Sequence, residues 1–139
     1  MAADSEGQSG TSILLASGSP QRSALLRQLG YSFRVRVPDV AEISDGDAVE
    51  LAQHNALIKA RSCVADRRPD ELVLAVDTVV AVDGVVFGKP VDAADARRML
   101  VSLRGRSHTV VGGLAVVLDD SRSWVLHDTT IVHFRKVSD

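Results

Sequence analysis

The sequence predicts an α/β fold in which helices flank a mixed, twisted sheet. Short apolar runs typical of buried strands alternate with amphipathic helical patterns early in the chain, whereas strand patterns dominate its second half. The chain has 139 residues, of which 45% are hydrophobic, so it is long enough for one domain with an enclosed core. We therefore predict a flexible tail over residues 1–12 and a single domain over residues 13–139.

The first elements read as strand, helix and strand. Residues 13–16 form a continuous apolar run, as in a buried strand. A helix follows, with Ser19 as its N-cap, Pro20 in its first turn and Gly30 at its end. Alternating apolar and basic residues over 31–37 then predict a half-buried strand.

A second helix is predicted over residues 47–64, followed by a buried strand over 72–76. The apolar face of that helix carries Val49, Ala52, Ala56 and Cys63. Lys59 falls in the same row. Its ammonium must therefore either extend to the surface or meet a buried anion.

The remaining elements are mainly strands. Residues 79–82 and 85–87 flank an Asp-Gly pair, which is a two-residue hairpin signature. Asp92 is placed to cap a third helix, and long strands are predicted over 109–118 and 124–134.

Composition and charge exclude several classes of function. The net charge is -2 and like charges are not clustered, so we expect no nucleic acid polymer as a partner. The sequence lacks a signal-peptide pattern and an apolar segment of membrane-spanning length, so we expect no membrane partner. The single cysteine, Cys63, cannot form an internal disulfide, which favours a reducing compartment and a cytoplasmic location.

The turn after the first strand is the first candidate site. Ser17 and Ser19 offer hydroxyls beside the free amides of a helix start, and Arg22 lies one turn inside the helix. Such a turn can hold a phosphate group. The alternative is an ordinary capped helix.

Charged residues on other elements complete the candidate set. Asp77 follows the predicted strand 72–76 and precedes Thr78, which places a carboxylate at the carboxyl end of a core strand, where ligands of α/β sheets gather. It could equally cap a turn. Glu42 and Lys89 lie in predicted connections, where each could be a solvated surface residue.

Together these residues suit phosphoryl chemistry, provided that the fold brings them together. Arg22, Lys59 and Lys89 would offset the charge of a triphosphate. Glu42 and Asp77 could hold a divalent metal and orient or deprotonate an attacking water.

The order of these segments resembles the Maf-like nucleotide pyrophosphatase family. The similar segments are LASGSPQRSALLRQLG at 15–30, Glu42, ALIKA at 56–60, LAVDTVV at 74–80, GKPVDAADARRML at 88–100, LRGRSHTVV at 103–111 and TIVHF at 130–134. The resemblance implies a fold like that of the inosine triphosphate pyrophosphatases, often assembled as a homodimer. It also implies Mg²⁺-assisted hydrolysis of a nucleoside triphosphate to the monophosphate and pyrophosphate.

The resemblance also assigns roles to individual residues. Asp77 would be the general base, and Glu42 would help to place the metal. The phosphates would be held by Ser17, Ser19, Arg22, Lys59 and Lys89. The pair Asp77 and Thr78 resembles the branch that acts on dTTP and UTP, but Gln21 stands where that branch usually has arginine, which leaves the base preference open.

Two further expectations follow from a departure from the family. Its members continue well past the equivalent of Asp139, with a segment that helps to form the cleft. We therefore expect reduced or lost activity in this chain, and apolar sheet surface that is exposed or covered by a partner chain. The alternatives to an active enzyme are a catalytically weak nucleotide-binding regulator linked to cell division and a structural interaction domain.

Overall fold

The computed structural model describes residues 12–88 and 90–135, which contain six strands and three α-helices. In chain order these are β1 (Ser12–Ala16), α1 (Pro20–Gln28), β2 (Phe33–Arg36), α2 (Ala48–Ser62), β3 (Glu71–Val82), β4 (Val85–Phe87), α3 (Ala93–Leu103), β5 (Ser107–Val117) and β6 (Ser123–His133). A 3-10 helix, Val64–Asp66, follows α2. Ser12, which the sequence placed in the tail, begins β1, and the rest of the predicted tail lies outside the described residues.

The helices α1 and α3 begin after the N-caps that the sequence predicted, and Asp47, the predicted first residue of the second helix, is the N-cap of α2. The Ser19 Oγ accepts a hydrogen bond from the Arg22 N–H at 3.4 Å, and Pro20 opens α1. The Asp47 carboxylate accepts two backbone N–H bonds at the start of α2, and the Asp92 carboxylate accepts one at the start of α3. These side chains satisfy amides that have no partner inside the helix. None of the helices in the described part of the chain is long and apolar enough to cross a membrane.

The sheet is mixed, as predicted. Its strand order is β2-β1-β3-β5-β6; β1 runs parallel to β2 and β3, whereas β5 and β6 are antiparallel to their neighbours. The hairpin between β3 and β4 turns at Asp83 (φ 51°) and Gly84 (φ 80°), as a two-residue turn with two left-handed residues requires.

One edge of β3 is shared by two short strands. Along its other edge, β3 pairs with β5 from Val73 to Ala81. The shared edge pairs with β1 over residues 71–74 and with β4 over residues 80–82. Among the described strands, none pairs with residues 75–79 on that edge, so the sheet is open there.

The prediction that Asp77 ends a core strand was wrong. The segments predicted separately at 72–76 and 79–82 are one 12-residue strand, and Asp77 lies in its middle. The alternation of side chains continues through Asp77 and Thr78, which the antiparallel partner β5 holds in register with Gly113 and Gly112. What ends near Asp77 is the neighbouring strand β1, whose pairing with β3 stops at Leu74.

Helices cover opposite faces of the sheet. On one face, α2 packs on β1, β3 and β5 through a cluster dominated by small side chains: Leu14, Ala16, Ala56, Ala60, Cys63, Val73, Ala75, Ala115 and Val117. On the other face, Leu26 of α1 packs against Ile13 and Leu15. The connection from β1 to β2 thus crosses one face and that from β2 to β3 the other. This arrangement creates a topological switch point between β1 and β3, where α/β sheets bind ligands.

Candidate functional site

A cluster of three charged side chains lies at this switch point. The Lys59 Nζ of α2 is 2.9 Å from the Asp77 Oδ1 of β3 and 3.3 Å from the Glu42 Oε2 in the connection before α2. Asp77 is 6% exposed, although Glu42 is open to solvent. Lys59 therefore meets a buried carboxylate, which settles the two sequence-based alternatives in favour of a buried ion pair.

Close packing of α2 on the sheet brings Lys59 to Asp77. Ala52, Ala56 and Ala60 are fully buried and recur every four residues, so the helix presents a flat face toward β3 and β5. Opposite that face, Gly113 is in register with Asp77. A Cβ at Gly113 would lie 2.3 Å from the Ala52 carbonyl oxygen, so the absence of a side chain there permits the approach of the helix.

The turn between β1 and α1 forms the second wall of the site. Ser17 is 4% exposed, and its Oγ accepts a hydrogen bond from the Ser19 N–H at 3.0 Å. Arg22 reaches across to β3, where its Nη2 donates to the Thr78 Oγ1 at 3.3 Å. The turn is thereby tied to the strand that carries Asp77.

Two cavities meet at the cluster. The smaller, of about 420 Å³, is lined by Ala16, Ser17, Gly18, Ser19, Arg22, Val37, Pro38, Glu42 and Lys59. The larger, of about 560 Å³, is lined by Val40, Glu42, Ile43, Ser44, Leu51, Asn55, Asp77, Thr78, Val79, Val80, Val86, Phe87, Gly88 and Pro90. Glu42 lines both, so the cationic cavity and the more apolar one share a boundary at the charged cluster.

The acidic residues at this boundary suit a hard cation. In the part of the chain that the structure describes, no three His, Cys, Asp or Glu side chains form a metal-binding group. Mg²⁺ is nevertheless commonly held by one or two carboxylates, with phosphate oxygens and water completing its coordination. Glu42 and Asp77 both reach the Lys59 ammonium, so these two carboxylates fit that donor set.

The structure brings together most of the residues predicted from the sequence. Ser17, Ser19, Arg22, Glu42, Lys59, Asp77 and Thr78 all line one or both cavities. Gln21 is exposed, and its Oε1 accepts a hydrogen bond from the Ser19 hydroxyl at 3.1 Å. Lys89 lies outside the described residues, but its neighbours Gly88 and Pro90 line the larger cavity.

Two residues at the site were not identified from the sequence. Asn55 is a buried residue of α2 that lines the larger cavity. A polar residue four positions before Lys59 on an apolar helix face could have indicated it. Gly113 is the second, and a glycine inside a strand is typical of close backbone approach.

Comparison with known proteins identifies the family of the chain. A sequence model of the family described as Maf-like protein matches residues 12–139. The chain belongs to the Maf-like protein family. Curated relatives named dTTP/UTP pyrophosphatase include those of Symbiobacterium thermophilum, 47% identical over 91% of this chain, and Vibrio parahaemolyticus, 40% identical over 86%. The chain spans 65% of the length of each of these two relatives.

Solved structures confirm the type of fold. A nucleoside-triphosphatase / dITP/XTP pyrophosphatase from Mycobacterium abscessus superimposes with a TM-score of 0.58 at 25% identity, covering 88% of this chain and 73% of its own. The Ham1 protein of Staphylococcus aureus gives a TM-score of 0.60 at 17% identity, with 88% and 71% covered. The Maf-like chain therefore shares the mixed sheet and flanking helices of the Ham1-type proteins.

Proposed function

We propose that this Maf-like protein hydrolyses nucleoside triphosphates, with dTTP and UTP as its substrates, to the monophosphate and pyrophosphate. The observation that carries the proposal is the position of Lys59, which contacts Asp77 and Glu42 where the cationic cavity meets the apolar one. The names of the curated relatives support the substrate class. No specific observation favours either alternative, the nucleotide-binding regulator or the structural interaction domain.

The smaller cavity suits the triphosphate. Arg22 and Lys59 supply positive charge, and the N-terminus of α1 adds a partial positive charge from its backbone dipoles. The hydroxyls of Ser17 and Ser19 add donors at the same wall. We assign a third phosphate contact to Lys89, by its place in the family motif.

The charged cluster suits the reacting groups. Asp77 would take a proton from water as the water oxygen bonds to the α-phosphorus and the bond to the β-phosphate bridging oxygen breaks. Pyrophosphate would leave toward Lys59 and Arg22, which offset its charge. Glu42 and Asp77 would hold Mg²⁺, which when bound neutralises phosphate charge and makes water more acidic.

The larger cavity suits the nucleoside. Its walls are mainly apolar, with Ile43, Leu51, Val79 and Phe87 among them, as expected for a site that covers a flat base. Thr78 lines this cavity and contacts Arg22, so it links the nucleoside side to the phosphate side. We propose that Thr78 and Gln21 contribute to base selection.

A panel of nucleoside triphosphates with Mg²⁺ tests the proposal. We expect pyrophosphate rather than phosphate to be released, fastest with dTTP and UTP. In water enriched in heavy oxygen, the label should enter the monophosphate, because the water attacks the α-phosphorus. Asp77→Asn should lower kcat by about 100- to 10,000-fold, the range for removing a general base.

Asp128→Asn is the matched control, because Asp128 is an exposed carboxylate on β6 and the same atoms are exchanged. It should leave turnover unchanged. Wild-type rates in Asp77→Asn would contradict the role of that residue. Nucleotide binding without pyrophosphate release would instead favour the regulatory alternative, and the absence of both would favour a structural domain.

A further inference from the structure

The buried side chain of Asn55 holds the connection that carries Glu42. Asn55 is 4% exposed and lies one turn before Lys59 on the same face of α2. Its Oδ1 accepts a hydrogen bond from the Ile43 N–H at 2.9 Å, and its Nδ2 donates to the Ile43 carbonyl oxygen at 2.9 Å. The Asn55 amide therefore binds both the backbone N–H and the carbonyl oxygen of Ile43, as the backbone of a neighbouring strand would.

Residues around Ile43 have little packing of their own to hold them. Residues 41–47 are all exposed, so burial contributes little to their position. The contact between Glu42 and Lys59 is also weakly constraining by itself, because the Glu42 side chain is 36% exposed and its ion pair is screened by water. The two bonds from a buried amide are stronger constraints, since breaking them would leave that amide unsatisfied.

We propose that Asn55 is a positioning residue, which fixes Ile43 so that the adjoining Glu42 carboxylate stays at the Lys59 ammonium and the boundary of the two cavities. The inference rests on the proposed function, because it gives Glu42 a part in the reaction. Asn55 and Lys59 lie on the same helix, α2. The helix therefore fixes the distance between the Asn55 amide, which binds Ile43, and the Lys59 ammonium, which contacts Glu42. Asn55 acts through Glu42 and not on the reacting atoms.

Asn55→Leu tests this role, because leucine has a similar size but makes neither hydrogen bond. We expect the Ile43 amide to exchange its hydrogen faster. We also expect kcat to fall by about 10- to 100-fold with KM little changed, since misplacing one reacting group by about 1 Å has costs of this size. His54→Leu, at the exposed neighbouring position, is the control and should change neither quantity.

Asn55→Asp is a second variant for the case that the leucine variant does not fold. Its carboxylate can still accept from the Ile43 N–H but cannot donate to the carbonyl oxygen. We expect the Ile43 amide to stay protected and kcat to fall below the wild-type value, by less than the roughly 10- to 100-fold expected for loss of both hydrogen bonds. If the leucine variant is unfolded, an Asn55→Asp variant with the wild-type kcat would overturn the proposal.

The remaining outcomes distinguish a positioning role of Asn55 from a purely structural role. If Asn55→Leu lowers the melting temperature but the folded protein keeps its kcat, Asn55 is only structural and the proposal is wrong. If wild type releases no pyrophosphate, the proposed function fails. The role of Asn55 is then tested by the hydrogen exchange rate of the Ile43 amide and by the affinity for a non-hydrolysable α,β-methylene dTTP analogue. If Asn55→Leu changes neither quantity, the proposed role is wrong.

Discussion

At the scale of single residues, ion pairs in this molecule do two different things. Lys59 pairs with Asp77 and Glu42 at the cavities, and we assign these groups to the reaction. Arg34 of β2 and Glu71 of β3 instead pair across the end of β1, with the Arg34 Nε and Nη2 donating to the two Glu71 oxygens at 2.7 and 2.6 Å. This second pair joins the edge strand to the centre of the sheet.

The ion pair between Arg34 and Glu71 should make the stability of the fold depend on pH. The hydrogen bonds from Arg34 are the main cause that lowers the pKa of Glu71 from 4.5 to about 2. Because the folded-state pKa is depressed, the pair stabilises the fold fully above the ordinary pKa of 4.5 and loses this effect as the pH falls toward 2. Arg34→Met should lower the free energy of unfolding near neutral pH, because the buried Glu71 carboxylate would lose the guanidinium that pairs with it.

Urea unfolding of wild type and Arg34→Met at a series of pH values measures this difference. It should be constant above about pH 5 and shrink at lower pH. Arg122→Met is the control, because Arg122 pairs with Asp119 in an exposed loop and such pairs contribute little. A difference that is independent of pH would show that the packing of Arg34, and not its charge, is responsible.

At the scale of secondary structure elements, the distance between α2 and the sheet determines the site. Lys59 reaches Asp77 only because alanines face the sheet and Gly113 has no side chain. The helix thus carries two site residues, Asn55 and Lys59, at a separation from β3 that small side chains set. Larger residues at this interface would move both groups together.

Substitution of Gly113 tests the importance of this distance. The Cβ of Gly113→Ala would meet the Ala52 backbone at 2.3 Å, so α2 must shift. We expect a loss of about 1–3 kcal/mol in the free energy of unfolding, which is typical of overpacking, and a lower kcat. Gly112→Ala is the matched control, since a Cβ there meets no atom within 4 Å. Equal stability and activity of the two variants would refute this account.

At the scale of the whole molecule, the two faces of the sheet differ in their cover. On the face toward α2 the side chains of β3 and β5 are buried. On the opposite face, register places Trp124 and Leu126 of β6 beside Val116 and Leu114 of β5. Trp124 is 53% exposed and Leu126 63% exposed. The described part of the chain therefore presents an exposed apolar area there.

This apolar area leads to a prediction about the behaviour of the chain in solution. We expect the protein to bind the hydrophobic dye anilinonaphthalene sulfonate or to self-associate in light scattering. Leu126→Thr should reduce either behaviour, because threonine keeps the strand preference but removes apolar surface. His127→Thr changes the adjacent exposed residue on the other face and is the control. A monomer that binds no dye would contradict the expectation.

The turns, the helix caps and most helices and strands were predictable, because they depend on residues close together in the sequence. Ser19, Asp47 and Asp92 act within one helical turn, and the Asp-Gly hairpin needs only two residues. The extent of β3 was not predictable, since Asp77 interrupts its apolar pattern although the antiparallel pairing with β5 continues past it. Asn55 was missed for a similar reason, because its partner Ile43 lies 12 positions away in a connection without a repeating pattern.

The sequence by itself determined the α/β class, the family and the identity of the charged residues at the site, because hydrophobic period, caps and ordered motifs are written in neighbouring residues. Only the tertiary structure decided that Lys59 meets Asp77 and Glu42 and that Arg22 reaches Thr78. It alone also showed that α2 approaches the sheet through Gly113. These contacts join residues far apart in the chain, so their distances depend on how the helix and strands pack together.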